Sequence, residues 1–97
     1  MPINKMQIHA IVHGRVQGVS FRYHTQLTAE SLGITGWVRN LPDRTVEVLG
    51  EGTADQIHAF TNFLRQGPSG ARVDSIDLSE SEASGDYPSF EITYLSR

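Results

Sequence analysis

Cysteine is absent from the 97 residues. That excludes a disulfide framework, a thiolate zinc site and a cysteine nucleophile together. It fits a reducing compartment, so the expected location is cytoplasmic. No apolar run approaches the roughly 20 residues a membrane-spanning helix needs, and no membrane partner is expected. Residues Met1 to Lys5 lack the apolar stretch of a secretory signal and are expected to form a loose tail. Positive charge is scarce as well: eight Lys and Arg against eleven Asp and Glu give a formal net charge of −3. The eight are scattered along the chain. No basic patch for nucleic acid stands out, and none is expected as a partner. An anion bound here must be held by a local arrangement of donors.

What is present is ordinary for a globular protein, with 38% hydrophobic and 20% charged residues. A chain of 97 residues has room for one domain with one core, residues 1–97, and a monomer is the default expectation. Met6 to His13 alternates, with Met6, Ile8, Ala10 and Val12 on one face, which reads as a half-buried strand. Gly14 to Gly18 is a loop. Phe21 to Leu32 favours a helix with Phe21, Leu27, Ala29 and Leu32 as core contacts, and Gly33 is its left-handed stop. Ile34 to Asn40 and Thr45 to Leu49 read as strands joined by the turn Leu41-Pro42-Asp43-Arg44, an antiparallel hairpin. Thr53 opens a second helix, with Gln56 completing a capping box. Ile57, Phe60, Phe63 and Leu64 form its apolar stripe, and Gly67-Pro68 stops it. Val73 to Leu78 is a further strand candidate, Ser79 to Ser89 a polar loop, and Phe90, Ile92 and Tyr94 mark a last strand. The order β-α-β-β-α-β predicts an α+β fold, a ferredoxin-like sandwich with an antiparallel sheet and both helices on one face.

That architecture hosts RNA binders, metal carriers, regulatory domains and enzymes, so motifs must separate them. The segment His13-Gly14-Arg15-Val16-Gln17-Gly18-Val19-Ser20-Phe21-Arg22 runs from a strand through a glycine-bearing loop into a helix N-terminus. Unpaired backbone N–H groups and the helix dipole suit such a place to an anion. Arg22 could reach back over the loop and grip two phosphate oxygens at once. The same residues also fit an ordinary turn with Arg22 as a solvated arginine. Walker A and thiol-phosphatase loops are both excluded, the first because Val19-Ser20 follows the last glycine, the second for want of cysteine. In Gly36-Trp37-Val38-Arg39-Asn40-Leu41-Pro42-Asp43, Asn40 falls at a strand end. There its amide could hold a water, or it could simply start the turn. Trp37 reads as core. His9 and His13 lie roughly 13 Å apart along one strand face, too far to share a metal. Ser20 and His24 form an i,i+4 pair but lack an orienting carboxylate and an oxyanion hole. Glu80 and Glu82 read as a solvated face.

Taken together, these segments make the chain resemble the acylphosphatase family along almost its whole length. Gly14-Arg15-Val16-Gln17-Gly18-Val19-Ser20-Phe21-Arg22 is similar to the family's first signature. Gly36-Trp37-Val38-Arg39-Asn40, continued by Val46 and Gly52, is similar to its second, and Gly70-Ala71-Arg72-Val73 fits as well. The resemblance implies a hydrolase of small acyl phosphates, giving carboxylate and inorganic phosphate, with phosphate also acting as inhibitor. By the same resemblance, Arg22 binds the phosphoryl group and the amides of Arg15, Val16, Gln17, Gly18 and Val19 cradle it. Asn40 orients the attacking water, and no metal or cofactor is required. One position departs: the family usually has glycine where this chain has Arg44.

The rival reading is a non-catalytic ferredoxin-like module for RNA or a small ligand. An RNA binder should carry aromatic residues on a central strand, and Thr45-Val46-Glu47-Val48-Leu49 has none. A carbamoyl-transfer domain within a larger maturation protein is a closer rival, against which the short length counts.

Overall fold

The computed structural model describes residues 4–94. Its elements are β1 (Lys5–Arg15), α1 (Phe21–Leu32), β2 (Thr35–Asn40), β3 (Val46–Thr53), α2 (Ala54–Gln66), β4 (Arg72–Glu82) and β5 (Phe90–Ile92). They form a sheet of order β4-β1-β3-β2-β5, with β1 and β3 at its centre. The ferredoxin-like order runs through β4, and β5 adds a fifth strand. An all-antiparallel sheet was the expectation; β2 and β5 instead pair in parallel, so the sheet is mixed. The reason is topological. β4 and β2 run in opposite directions, and residues 83–89 carry the chain across one end of the sheet, so β5 starts beside β2 and runs with it.

Alternation on the strands sets the core. Ile8, Ala10 and Val12 of β1 meet Val46 and Val48 of β3 and Val38 of β2, all fully buried beneath the helices. Phe21 and Ala29 of α1, and Ile57, Phe60 and Leu64 of α2, close over them. The Phe60 ring meets Phe90 edge-on, with centroids 5.8 Å apart. The α2 capping box forms as expected, with Gln56 N–H donating to Thr53 Oγ1 and Thr53 N–H to Gln56 Oε1. Gly33 stops α1 at φ 80°.

Several expectations need correction. Leu27 is 44% exposed, whereas Thr25 is fully buried. The inward stripe of α1 is Phe21, Thr25 and Ala29, at i, i+4 and i+8, and Leu27 falls off it. Trp37 is not core: it alternates out of phase with the buried Gly36 and Val38, and stacks under Arg39 on the open face, 4.8 Å from Cζ to ring centre. β3 does not stop at Leu49 but continues to Thr53. Gly50 and Gly52 in this extension clear space for α2, since a Cβ on Gly50 would lie 3.0 Å from the Phe60 ring. β4 extends through Ser79 to Glu82, because β1 offers it partners back to Met6. Of the expected N-terminal tail, residues 1–3 lie outside the described residues, and Lys5 already pairs with Thr53.

The crossing segment is fastened by one carboxylate. Glu51, 4% exposed, accepts from Gln7 Nε2, from Ser84 N–H and Oγ, and from Gly85 N–H, at 2.6 to 3.0 Å. Burial alone would raise its pKa, but these four donors outweigh that and hold it below the usual value. No helix among the described residues is long and apolar enough to cross a membrane.

Candidate active site

The two signature segments meet at the end of the sheet where β1 and β2 finish and α1 begins. β1 reaches Arg15, two residues further than its alternation implied, after a register shift between His13 and Gly14. Gly14 has φ 133°, and a Cβ there would sit 2.0 Å from the Arg72 carbonyl oxygen. Only glycine allows this approach of β1 to β4. Residues 16–20 then turn into α1. Gly18 is left-handed at φ 75°, and so is Ser20 at φ 61°, an uncommon state for a non-glycine residue. Ser20 makes no side-chain cap bond to the helix. Among the described residues, none of the N–H groups of residues 16–20 donates to a protein acceptor.

Gln17 fixes where this loop sits. Its Nε2 donates to the carbonyls of Leu41 (2.9 Å) and Thr45 (2.8 Å), which flank the turn after β2. Its side chain is thus committed to the turn, and only its N–H faces the question of anion binding. The turn itself closes by Leu41 N–H to Thr45 O and Arg44 N–H to Leu41 O, with Arg44 left-handed at φ 75°. Asp43 accepts from the Thr45 hydroxyl and N–H, which holds its carboxyl below the usual range.

Arg22 and Asn40 line one cavity of about 370 Å³. Val16, Gly18 and Ser20 of the loop share it, with Tyr23, Ile92 and Tyr94 on its other walls. Asn40 is the last residue of β2, paired with Val46. Its Oδ1 is buried and has no hydrogen-bond partner among the described residues. The Arg22 guanidinium lies 5.4 Å from the centre of the Tyr94 ring, and among the described residues no carboxylate pairs with it. Arg15 and Gln17 line a neighbouring hollow instead, and Val19 packs against the core. Tyr94 and the bridging role of Gln17 were not read from the sequence. Tyr94 continued a strand alternation, which hid it, and a glutamine to distant carbonyls leaves no local pattern.

The histidines have other engagements. His24 Nδ1 lies 2.9 Å from the Ser20 carbonyl oxygen, which only accepts, so Nδ1 carries the proton; no bond joins it to Ser20 Oγ. His9 and His13 each face a separate carboxylate on the open face of the sheet, Glu47 at 2.6 Å and Asp77 at 2.8 Å. Burial would raise Glu47, but His9 and the Arg39 guanidinium together hold it below its usual value.

A family described as acylphosphatase has a sequence model that matches residues 8–92. The chain belongs to the acylphosphatase family. It is 44% identical over 89 residues to an acylphosphatase of Acaryochloris marina, covering 92% of this chain and 95% of that protein. Its fold is similar to the crystal structure of an acylphosphatase from Bacillus subtilis, with a TM-score of 0.88 and 37% identity over 92% of this chain and 99% of that one. An acylphosphatase from Coxiella burnetii is similar at a TM-score of 0.87 and 39% identity, covering 93% and 94%. The protein is therefore an enzyme of the acylphosphatase type, a hydrolase on a ferredoxin-like α+β fold.

Proposed function

We propose that this acylphosphatase hydrolyses the carboxyl–phosphate bond of small acyl phosphates in the cavity shared by Arg22 and Asn40. In this reading the phosphoryl oxygens rest on the N–H groups around Val16 to Val19 and on the Arg22 guanidinium. Arg15 contributes backbone at the loop's edge. Asn40 Oδ1 accepts a hydrogen bond from the attacking water. The water oxygen bonds to phosphorus, the P–O bond to the acyl group breaks, and the carboxylate leaves with the electron pair. The proton lost by water ends on phosphate or in solvent. A carboxylate is a weak base and needs no general acid. A loose phosphoryl transfer then asks chiefly for positioning and for stabilisation of charge on the phosphoryl oxygens. Nothing in these steps calls for a metal ion or a cofactor.

The observation that carries the reading is the coincidence of three kinds of group in one cavity. Among the described residues, they are a cation without a carboxylate partner, a buried amide oxygen without a hydrogen-bond partner, and a loop of undonated N–H groups. We read the protein further as one domain, a cytoplasmic monomer without nucleic acid as partner. The open faces of β1 and β3 carry Glu47 and Glu51 and no Phe, Tyr or Trp, and their histidines His9 and His13 are each held by a carboxylate. The test is hydrolysis of acetyl phosphate by pure protein with excess chelator present. Turnover well above the spontaneous rate is expected. A rate equal to the spontaneous one would leave a binding module in its place.

A further inference from the structure

Arg15, Arg44 and Arg72 are far apart in the sequence, yet they line one hollow of about 340 Å³ with Gly14, Val16 and Gln17. Three of eight cationic side chains, in a chain with a formal net charge of −3, converge there. No acidic residue lines it. The fold works against local preference to bring them together. Arg15 and Arg72 are direct cross-strand partners on β1 and β4, a placement in which like charges destabilise. The register shift at Gly14 bends the strand just before them, and bulges re-aim side chains. Arg44 holds a left-handed conformation in which glycine would be unstrained.

Nearby negative charge is already engaged. Asp74 accepts from Arg72 Nε at 2.9 Å, and Asp43 is turned onto Thr45. Among the described residues, neither Arg15 nor Arg44 has an ion-pair partner. The hollow also backs onto the catalytic loop. Val16 lines both cavities, and Gln17 ties that loop to the turn carrying Arg44.

We propose that this hollow is a second anion site, which takes a phosphate or carboxylate group other than the one being hydrolysed. Guanidinium groups present planar forks matched to such oxyanions. Three cations lining one hollow, only Arg72 of them paired with a carboxylate among the described residues, favour a multiply charged ligand, which offsets their like charge as it binds. The site goes beyond the hydrolysis proposed above, and its occupancy can be read in protein that does not turn over. Its ligand has two sources: a charged group on the substrate's own acyl portion, or a free oligoanion.

The experiment is calorimetric titration with inorganic tripolyphosphate at a fixed 0.15 M (about 8 Å of screening) NaCl. Arg22→Ala should keep one binding site. The double variant Arg44→Gly/Arg72→Gln should lose at least tenfold in affinity at that site, Arg72→Gln alone less, while far-ultraviolet circular dichroism reports parental folding. Arg65→Gln, on α2, should bind like the parent. Loss of all binding in Arg22→Ala, or a loss in Arg65→Gln equal to that of the double variant, would overturn the second site. Kinetics then distinguish the sources. If the substrate fills the site, the double variant raises KM for succinyl phosphate, whose acyl group carries a carboxylate, at least fivefold more than KM for acetyl phosphate. An unchanged ratio, with tripolyphosphate binding still lost, identifies a free oligoanion as the ligand.

Discussion

Arg22 and Asn40 are proposed to act on different atoms, and their removal should therefore separate binding from chemistry. Arg22 is proposed to hold the phosphoryl group before and during transfer. Arg22→Ala should weaken phosphate binding and cut turnover by about 10³-fold or more, the scale of losing a phosphoryl-stabilising arginine. Asn40→Ala should leave phosphate affinity within a few-fold of the parent while turnover falls by about 10²-fold or more. A phosphate titration beside steady-state kinetics on each variant checks both. Parental turnover in Asn40→Ala would remove the water-positioning role. Arg44 supports a different prediction, on stability. Its left-handed backbone, at φ 75°, costs a side chain about 1–2 kcal/mol, partly offset by the greater freedom of an unfolded glycine. Arg44→Gly should raise the urea midpoint by a few tenths of a molar, for a net gain of about 0.5–1 kcal/mol. A lowered midpoint would mean that the Arg44 side chain stabilises the turn. Arg22 and Asn40, which line one cavity, were legible as candidates because each stands beside a glycine-rich or strand-end pattern with a physical reason. Gln17 was not, because its partners Leu41 and Thr45 are brought near only by the hairpin.

Elements were legible where one face is buried. β1 and α2 alternate or repeat cleanly, and their cores match the reading. α1 was legible as a helix but not in its facing, since threonine at position 25 is buried where leucine at position 27 is not. β4 was truncated in the reading because an edge strand exposed along most of its length has no apolar alternation to announce it. Nor did any pattern mark the crossing segment after it, which depends on Glu51, remote in sequence. The lowered pKa of that carboxyl gives the fastening a pH dependence. A carboxyl held below its usual value, about 4.3, contributes stability above that value and loses it as the pH falls through the lowered one. Glu51→Gln should cost about 1–3 kcal/mol at pH 7, the scale of breaking buried hydrogen bonds to a charged group. It should also flatten the loss of stability between pH 5 and pH 3. Urea midpoints for parent and variant across that range test it, and parallel curves would mean that Glu51 does not titrate with folding.

At the scale of the whole molecule, site and stability are linked through whatever the folded chain binds and the unfolded chain does not. The loop, the end of β2 and the start of α1 come together only when the sheet closes, with Asn40 paired to Val46 and Gln17 anchored to the hairpin turn. An unfolded chain has no such cradle. Inorganic phosphate shares the oxygens of the transferred group, so it should inhibit competitively and also stabilise the fold by mass action. At about ten times its dissociation constant the gain is roughly 1.4 kcal/mol. A domain of this size then melts about 4–8 °C higher for each kcal/mol. Chloride at matched ionic strength should leave the midpoint almost unmoved, because it screens charge without bridging the loop amides and a guanidinium. The decisive comparison is parent against Arg22→Ala, each melted in phosphate and in chloride. If the cavity of Arg22 is the main phosphate site, the difference between salts shrinks sharply in Arg22→Ala. Equal shifts from both salts in the parent would reduce the effect to screening. An undiminished phosphate effect in Arg22→Ala would move the stabilising anion away from the cavity of Arg22 and Asn40, toward the hollow lined by Arg15, Arg44 and Arg72.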